Sequence, residues 1–289
     1  DTVLCMGRNA NCYGFWIKKR LPGIRLITTY RTNRHLPWAY RKSIRLSDSC
    51  LTNSRWAAGR LERLLPDLPP GRVATIRNPL IRSHLLALPR SDEASAKARQ
   101  QLGIPAGRFT CVHCSHFLPG KNQAALLECW HQACRQRPDG MLLLAGDGPA
   151  RQSCERLAEE LGLSDHVRFF GRLETIEPLL QASDLCLSAS LREGMPNALV
   201  EAQAAGLPVV AYDTAGSREA LVDHKSGYVI PVNDHDAFAA AVEDLRTHPA
   251  KRSAFAARAR QHAEEQFDPA SIRQQYLRLL QDGSVGPLL

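Results

Sequence analysis

The fold of this 289-residue chain is decided between residues 193 and 206, which read Glu193-Gly194-Met195-Pro196-Asn197-Ala198-Leu199-Val200-Glu201-Ala202-Gln203-Ala204-Ala205-Gly206. Pro196 fits a first helical turn, where its missing N–H is not needed. Residues 198–205 are strong helix formers, and Gly206 is placed to end the helix. An apolar run at 208–212 predicts the next strand. The helix therefore begins after a loop and leads into a sheet, and its first N–H groups form a site for an anion such as a phosphate.

Two carboxylates flank this helix start. Glu193 and Glu201 are eight residues apart. Because carboxylates accept hydrogen bonds, this arrangement predicts sugar hydroxyls as further ligands beside the phosphate. From the residues alone, both side chains could equally be solvated surface charges.

Outward from this stretch, predicted strands and helices alternate through the second half of the chain. The predicted strands are 109–114, 141–145, 166–170, 184–188, 207–212 and 227–231. The predicted helices are 122–136, 150–161, 175–181, 197–205, 217–222 and 234–247. Such alternation is typical of a parallel, doubly wound sheet.

The first part of the chain alternates in the same way. Its predicted strands are 1–6, 24–29, 49–53 and 73–76, and its predicted helices are 13–20, 38–46 and 55–65, with a loop at 7–11. The sequence therefore predicts four regions along the chain. These are a first α/β domain over 1–76, a polar linker over 77–95, a second α/β domain over 96–249, and terminal helices over 250–289 that pack back across both domains.

Charge is spread unevenly along the chain. Residues 1–90 hold 17 Lys and Arg against 4 Asp and Glu, whereas residues 91–289 hold 20 against 25. The basic first part is expected to face an anionic partner or surface. It contains no recognisable nucleic-acid-binding motif and no aromatic platform for bases, so we expect no nucleic-acid partner.

Nine cysteines without a visible signal peptide predict a reducing compartment and a cytoplasmic location. Cys111 and Cys114 form a C-x-x-C pattern, but in a strand they point to opposite faces, so we interpret them as buried strand thiols. No apolar run is long enough for a transmembrane helix. The chain opens on Asp1 without an initiator Met, and we expect it to be the interior of a longer protein.

Ligands of a parallel sheet bind beyond the carboxyl ends of its strands, so the loops there are where binding and catalytic residues are expected. Lys121 lies at a predicted helix start, where a cation opposes the helix dipole, and this favours a phosphate contact. The loop 146–149 reads Gly146-Asp147-Gly148-Pro149. A tight structural turn would need the same glycines, so this loop alone does not decide between turn and ligand site.

The order of these loops resembles the nucleotide-binding domain of family 4 glycosyltransferases, which are retaining enzymes. The resemblance covers about residues 73–281 and is most specific in the two glutamates with seven residues between them. The segments that carry it are Lys121-Asn122, Gly146 to Pro149, Val167 to Gly171, Ser183 to Ser188, Glu193 to Ala202, Gly216 to Glu219 and Gly227-Tyr228. It implies the GT-B fold, an α/β architecture in which two Rossmann-like domains face a cleft.

The resemblance also implies roles for individual residues. Glu193 and Lys121 are the expected catalytic residues: Glu193 holds the hydroxyls of the transferred sugar, and Lys121 neutralises the diphosphate leaving group. The expected contacts to the sugar and diphosphate come from His116, Gly194, Asn197, Leu199 and Val200. Glu201 is expected to accept hydrogen bonds from the ribose, and Gly171 and Arg172 to approach the base through their main chain.

Three departures from the family pattern stand out. Ser115-His116 occupies the place of a Gly-Arg pair, so a largely neutral histidine replaces a phosphate-binding cation. In the first domain, Arg31 stands where the family often has a histidine, within Thr29-Tyr30-Arg31-Thr32. Arg31 could bind a phosphate or the acceptor, or be one more surface cation, but it cannot act as a base. Residues 1–76 match only the second half of the family's N-terminal domain, so that domain is expected to be incomplete.

Together these observations predict a retaining glycosyltransferase. It would move a hexose from a nucleotide diphosphate-sugar to a glycan or lipid-linked acceptor in bacterial cell-envelope polysaccharide synthesis. Neither a cofactor nor a metal is expected, and the basic first part predicts contact with the inner face of an anionic membrane. Alternatives are a non-catalytic nucleotide-sugar-binding module and another GT-B enzyme, such as a nucleotide-sugar epimerase or a sugar phosphorylase.

Overall fold

The computed structural model describes residues 1–31, 36–136 and 139–281. Contacts within the chain group it into two compact units, each with its own sheet. The first comprises Asp1–Pro79 and Gln266–Leu289, of which 282–289 lie outside the described residues, and the second is Leu80–Glu265. The residue limits of the four predicted regions remain a prediction.

The first unit is a four-stranded parallel sheet in the order β1-β2-β3-β4. Its strands are β1 (Thr2–Leu4), β2 (Arg25–Tyr30), β3 (Ser49–Thr52) and β4 (Val73–Thr75). Its helices are α1 (Arg8–Arg20), α2 (Trp38–Leu46), α3 (Arg55–Leu64) and, at the end of the described chain, α12 (Pro269–Gln281). Each crossover between adjacent parallel strands is a helix, as the sequence predicts.

The predicted loop at 7–11 is wrong, because α1 begins at Arg8. The reason is Asn11, whose polar side chain is fully buried. Its Nδ2 donates to the Gly7 carbonyl at 2.7 Å, and its Oδ1 accepts from the Thr29 N–H at 2.8 Å. A residue that favours turns in isolation therefore joins the helix start to strand β2.

The terminal helix α12 belongs to the core of the first unit. Buried Ile272 and Leu279 of this helix pack against buried Ile27 and Leu51 of the sheet. Each such side chain contributes about 1.5–3 kcal/mol of hydrophobic stabilisation. The last described helix is therefore part of the same fold as the first strands.

The second unit is a six-stranded parallel sheet in the order β10-β9-β8-β5-β6-β7. Its strands are β5 (Phe109–Cys114), β6 (Gly140–Ala145), β7 (Val167–Gly171), β8 (Leu185–Ser188), β9 (Val209–Tyr212) and β10 (Gly227–Ile230). Its α-helices are α4 (Asp92–Gln101), α5 (Gln123–Gln136), α6 (Arg151–Glu160), α7 (Glu177–Ala182), α8 (Asn197–Ala204), α9 (Ala215–Ala220), α10 (His235–Thr247) and α11 (Pro249–Phe267), the last of which continues into the first unit. The predicted alternation is confirmed, with element ends differing by a few residues.

The strand order places a topological switch point between β5 and β8. The chain builds β5, β6 and β7 outward on one side, then returns to pair β8 with the other edge of β5, at Cys111 and Leu185. The loops after β5 and β8 therefore run in opposite directions from adjacent strands. In open parallel sheets this divergence opens the crevice in which ligands bind.

Residues 80–95, within the predicted linker, pack as part of the second unit. Leu80 and Leu85 are buried, and Leu85 lies in a 3-10 helix at Ser83–Ala87. Arg90 donates to the Leu180 carbonyl at 2.9 Å and the Ser183 carbonyl at 3.0 Å. Arg90, one of the polar residues that indicate a linker here, thus binds main-chain carbonyls at the end of α7.

All nine cysteines are free thiols, and the interpretation of the C-x-x-C pattern as strand thiols is confirmed. Cys111 is buried and Cys114 is partly buried in β5. Burial raises the pKa of the Cys114 thiol to about 12, to which the charge of Glu201 adds. Among the helices of the described ranges, none combines the length and apolar sequence needed to cross a membrane.

Candidate donor-binding site

The loops at the carboxyl ends of β7, β6 and β5 are joined by backbone hydrogen bonds. The Gly146 N–H donates to the Gly171 carbonyl at 2.7 Å, which links the loops after β6 and β7. The Phe117 N–H donates to the Asp147 carbonyl at 3.0 Å, which links the loops after β5 and β6. Three of the loops that sequence reasoning selected therefore form one connected surface.

The loops after β5, β8 and β9 are joined in the same way. The Leu191 N–H donates to the Gly120 carbonyl at 3.0 Å across the switch point. The Gly216 N–H donates to the Glu193 carbonyl at 3.1 Å. A continuous series of main-chain contacts thus runs from the loop after β7 to the loop after β9, and it fixes the backbone around Glu193 and Lys121.

The two glycines of the loop after β6 are required by close packing. Gly146 has a φ of +133°, and a Cβ there would lie 1.8 Å from the Ser115 carbonyl oxygen. Gly148 has a φ of +153°, and a Cβ there would lie 2.5 Å from the Phe117 carbonyl oxygen. Any side chain would push the loop after β5 away, so these glycines have a steric reason that needs no ligand.

Lys121 and Glu193 meet directly. The Lys121 Nζ donates to the Glu193 Oε1 at 2.5 Å, and the two side chains are 29% and 13% exposed. The pair bridges the loops after β5 and β8, which flank the switch point. An ammonium group has three donors and a carboxylate has two acceptor oxygens, so each group keeps capacity for a ligand beside its partner.

A local turn of the chain positions Lys121. It ends the 3-10 helix Pro119–Lys121, and the next residue, Asn122, is left-handed with a φ of 54°. Asparagine is among the few non-glycine residues that adopt this region readily. Helix α5 begins only at Gln123, so Lys121 lies just before the helix rather than within it.

The start of α8 is capped by its own backbone. Pro196 is the N-cap residue, and its carbonyl accepts from the Leu199 N–H at 3.0 Å and the Val200 N–H at 3.4 Å. An anion at these two N–H groups would therefore share them with Pro196. Gly194 is half-buried in the preceding loop, and Asn197 is exposed at the first helical position.

Glu201, predicted to bind ribose, has a partner from the segment before α4. The Arg82 Nη1 lies 3.3 Å from the Glu201 Oε2, and the glutamate side chain is 16% exposed. Burial raises the pKa of Glu201, Arg82 opposes this effect, and the nearby carboxylate of Glu177 adds to it. Arg82 therefore opposes the protonation of a half-buried acceptor and holds it in place.

A second pair lies beside this one. The His84 Nε2 lies 2.6 Å from the Glu177 Oε1, and both belong to the second unit. Burial tends to raise the pKa of Glu177, but the hydrogen bond from His84, the main-chain hydrogen bonds and the charge of His84 together outweigh it, so the pKa is lowered. Arg82 and His84 thus bring two basic side chains to two glutamates.

His113 is a site-supporting residue that sequence reasoning missed. It is buried in β5, its Nδ1 lies 2.8 Å from the Leu187 carbonyl oxygen, and its Nε2 lies 2.7 Å from the Ser115 Oγ. Burial lowers the pKa of His113 to about 4; the bond to Leu187 opposes this and the charge of Lys121 adds to it. The ring is therefore neutral at pH 7. Since a carbonyl cannot donate, Nδ1 carries the proton and Nε2 accepts from Ser115.

This histidine connects the two strands that border the switch point. Leu187 is in β8, and Ser115 begins the loop that carries Lys121. The Gln123 Nε2 at the start of α5 donates to the Ser115 Oγ at 2.9 Å and to the His116 carbonyl at 3.0 Å. His113 and Gln123 together hold both ends of the loop that leads to Lys121.

The remaining predicted residues occupy different positions. The side chains of His116 and Arg172 are exposed, and the Gly171 carbonyl is engaged by Gly146. Arg31 belongs to the first unit, where its Nη2 donates to the Asn78 Oδ1. Thr32, which follows Arg31, lies outside the described residues.

The residues that were missed carry weak sequence signals. Arg82 and His84 lie in a segment in which exposed and buried residues follow no clear period. His113 is the one histidine in β5, a strand made mainly of apolar residues. A polar residue in such a strand must find partners when it is buried, and this is the signal that could have drawn attention to it.

A six-stranded parallel sheet with helical crossovers and an ion pair at its switch point defines an open α/β sheet protein, the class in which ligands bind beyond the carboxyl ends of the strands. The family model described as glycosyl transferases group 1 matches residues 94–262. The chain therefore belongs to the glycosyl transferases group 1 family. The family inferred from the ordered loops is confirmed.

Curated relatives extend this result. The chain is 31% identical over 182 residues to the lipopolysaccharide core biosynthesis glycosyltransferase LpsE of Rhizobium meliloti, covering 63% of this chain and 52% of that protein. It is 30% identical over 202 residues to a GDP-mannose-dependent monoacylated alpha-(1-6)-phosphatidylinositol monomannoside mannosyltransferase of Corynebacterium glutamicum, covering 67% and 52%. The chain thus spans about half the length of these relatives.

Solved structures share the fold. Alr3699/HepE of Anabaena, in complex with UDP, superposes with a TM-score of 0.84 at 23% identity over 97% of this chain and 78% of that one. Its complex with UDP-glucose superposes with a TM-score of 0.80 over the same shares. The predicted α/β class and GT-B fold are confirmed by these neighbours and by the two parallel sheets.

Proposed function

We propose that the chain is the donor-binding part of a retaining glycosyltransferase that moves a hexose from a nucleotide diphosphate-sugar to a glycan or lipid-linked saccharide. The family supports glycosyl transfer, and the donor, the stereochemistry and the acceptor are our inference. The observation that carries the proposal is the Lys121–Glu193 pair at the switch point. One cation and one carboxylate lie where the two reacting parts of such a donor would meet.

The pair has complementary tasks in this proposal. When the sugar–phosphate bond breaks, negative charge develops on the diphosphate, and Lys121 stabilises that charge. Glu193 accepts hydrogen bonds from sugar hydroxyls while its second contact holds Lys121 in position. We propose that the ammonium group contributes leaving-group stabilisation that a metal ion supplies in other phosphate chemistry, and we expect no metal requirement.

The surrounding residues complete the donor site in our proposal. The diphosphate lies at the start of α8, near Gly194 and Asn197, and shares the N–H groups of Leu199 and Val200 with Pro196. Each such charge-assisted bond is stronger than a neutral one. His116 supplies a hydrogen-bond donor on the opposite side of the phosphates.

The nucleoside is proposed to lie toward β7. Glu201, held by Arg82, accepts from the ribose hydroxyls, and the main chain at Gly171 and Arg172 approaches the base. The Anabaena structures with UDP and UDP-glucose support a uridine nucleotide as the first donor to try. The Corynebacterium relative, named for its dependence on GDP-mannose, makes the guanosine nucleotide the second.

The acceptor side is proposed to involve the first unit, with Arg31 as a cation for an anionic acceptor. The names of relatives that act in lipopolysaccharide and phosphatidylinositol mannoside synthesis support a lipid-linked acceptor in a bacterial envelope pathway. A lipid-linked acceptor would require the protein to work at a membrane surface.

An exposed aromatic surface of the first unit fits such a contact. We define it by Tyr13, Trp16 and Trp38, which are 66%, 53% and 60% exposed. The buried ring of Phe15 joins it, with ring centroids 4.8 Å from Trp16 and 5.2 Å from Trp38, while the Lys19 Nζ lies 4.9 Å above Phe15. Trp and Tyr favour the headgroup region of a bilayer, and basic side chains favour anionic lipids. We therefore propose peripheral contact with an anionic membrane through this surface.

The test of the proposed function is a calorimetric panel of UDP-, GDP- and ADP-sugars, followed by product analysis. We expect one nucleotide-sugar to bind and to be transferred with retained anomeric configuration. Binding without turnover in the full acceptor pool would instead assign a non-catalytic binding module. Binding of no member of the panel would contradict the proposal.

A further inference from the structure

A cavity of about 360 Å³ lies at the amino-terminal edge of the six-stranded sheet, the opposite edge from the candidate donor site. It is bounded by Asp184 just before β8, by Pro208 just before β9, and by one face of α11. Its volume is at the lower end for small-ligand sites. We call it the arginine cavity, after Arg90, Arg252 and Arg260 in its lining.

These three arginines are bonded to neutral groups. Arg90 donates to two main-chain carbonyls, as described above. The Arg252 Nη1 donates to the Leu245 carbonyl at 2.8 Å, and the Arg260 Nη2 donates to the Leu88 carbonyl at 2.8 Å. A guanidinium has five N–H donors, so most of them remain for another ligand. Within the described part of the chain, none of the three forms an ion pair with a carboxylate.

Carboxylates in the lining do not cancel this charge. The cavity also contains Asp92 and Asp184. The Asp184 Oδ2 is already bound by the Arg99 Nη2 at 2.9 Å and by the Thr110 N–H at 2.8 Å. With Arg99 included, four guanidinium groups face the two carboxylates, which leaves an excess of two positive charges.

The guanidinium groups affect each other. Burial lowers the pKa of Arg90; Asp184 opposes this, and the charges of Arg260, Arg99 and Arg252 lower the pKa further. Like charges held together in this way are costly unless an anion joins them. The cluster therefore carries an electrostatic cost that a bound anion would relieve.

The donors are also held in place before any ligand arrives. The Arg252 guanidinium lies 5.4 Å from the ring centroid of Phe109. Rigid donors lose little side-chain entropy on binding, which favours affinity. An adjoining cavity of about 620 Å³ shares Asp184 and Arg252, but there Arg99 is paired with Asp184 and Arg246 with Asp139. The charge excess belongs to the arginine cavity.

We propose that the arginine cavity binds a phosphate monoester. Two excess positive charges match a dianion, and the forked donors of arginine match phosphate oxygens better than a single lysine does. The site is separate from the donor site, because it lies at the other end of the same strands. The proposal does not depend on the transferase activity.

The test measures thermal shift and calorimetric affinity with inorganic phosphate and with glycerol 3-phosphate, each against sodium chloride at equal ionic strength. We expect phosphate to stabilise the protein beyond chloride, and its shift to add to that of UDP. Arg252→Gln should weaken phosphate binding about tenfold, the value of one charge-assisted hydrogen bond. Arg258→Gln is the matched control, since Arg258 lies on the same helix but pairs with Glu265.

Asp92→Asn keeps the test decisive if Arg252→Gln fails to fold. It removes the opposing carboxylate and should tighten phosphate binding. Co-sedimentation with phosphatidic acid vesicles distinguishes a lipid headgroup from a soluble phosphate ester, and either source supports the proposal. The proposal is overturned if Arg252→Gln and Arg258→Gln bind phosphate equally, if Asp92→Asn leaves the affinity unchanged, or if saturating UDP abolishes the phosphate shift.

Discussion

The Lys121 Nζ and the Glu193 Oε1 lie 2.5 Å apart, although 72 positions of sequence separate the two residues. The contact joins the loops of two strands that neighbour each other in space and not in sequence. A cation and an anion that are half-buried together each depend on the other. Removing one affects the electrostatics of the other as well as any ligand chemistry.

Replacing the pair tests whether it acts in chemistry. We expect Glu193→Ala and Lys121→Ala each to lower the transfer rate by about a hundredfold or more, since each removes a group that stabilises charge in the reaction. Lys121→Ala should also lower the free energy of unfolding by about 1–3 kcal/mol, because it leaves Glu193 without its partner. Rates are measured with the best nucleotide-sugar, and unfolding by denaturant titration.

The double variant Lys121→Ala/Glu193→Ala separates the two effects. Its stability should recover relative to Lys121→Ala, because no charge is left alone, whereas its rate should stay low. Glu160→Ala and Lys225→Ala, both exposed, are the controls. Recovery of the transfer rate in the double variant would mean that Lys121 and Glu193 only neutralise each other's charge and take no part in the reaction.

The Arg82–Glu201 pair should control donor affinity. Glu201→Ala is expected to raise the dissociation constant of the nucleotide-sugar about tenfold, the cost of one hydrogen bond to a charged group. Arg82→Gln should raise it by a smaller factor, since the acceptor remains but loses its positioning partner. Calorimetry measures both. Arg156→Gln, an exposed change on α6, should have no effect, and an unchanged affinity in Glu201→Ala would refute the ribose role.

His113 should make stability pH-dependent. Its pKa is about 4 in the folded protein and about 6.5 when unfolded, so between these values the unfolded chain binds more protons. Stability from this group is complete above about pH 6.5 and falls as the pH decreases toward 4, by about 3 kcal/mol in total. His113→Gln, compared with wild type from pH 4 to pH 7.5, should remove this slope. Parallel curves for the two proteins would show that His113 is not the titrating group.

Gly146 should tolerate no side chain. Gly146→Ala places a methyl group against the Ser115 carbonyl, while Gly162→Ala, at a φ of +69°, meets nothing within 4 Å. Gly162→Ala should therefore cost about 1 kcal/mol for its backbone conformation alone. Gly146→Ala should cost about 1–3 kcal/mol more because of the clash. Equal losses of stability for Gly146→Ala and Gly162→Ala in melting experiments would mean that the loops after β5 and β6 can move apart without cost.

The aromatic surface should bind anionic vesicles. We expect the chain to sediment with phosphatidylcholine vesicles that contain phosphatidylglycerol, and to dissociate as salt increases. Trp16→Ala and Trp38→Ala should each weaken partitioning, and Lys19→Gln should weaken it about fivefold, the value of one basic residue at such a surface. Ile81→Ala, at an exposed apolar residue of the second unit, is the control. Equal sedimentation of all four variants would contradict the membrane proposal.

The fold was largely predictable because the local sequence of each strand is enough to indicate it. The runs 141–145 and 209–212 are short, apolar and bounded by Gly or Pro, and their period leaves little alternative to buried parallel strands. Asn11 shows the limit of this reasoning. Its turn preference is real in isolation, and only the partner at Thr29 makes a helix start there more favourable.

The site was only partly predictable for a related reason. Glu193, Glu201 and Lys121 lie in loops whose order carries a family resemblance. Arg82 acts on Glu201 from 119 positions away, and no local pattern encodes such a contact. The role of His113 likewise depends on Leu187 in a neighbouring strand.

The strand order has a consequence for how the protein is made. Cys111 of β5 pairs with Leu185 of β8, so one edge of β5 has no neighbour until 74 further residues have been synthesised. At ribosomal elongation rates this interval lasts roughly 4–15 s. During it β6 and β7 are completed on one side of β5, while the unpaired N–H and C=O groups of its other edge stay open to wrong partners. Synonymous codons that slow translation between residues 115 and 185 should therefore lower the yield of native protein, even though they change no residue of the finished chain.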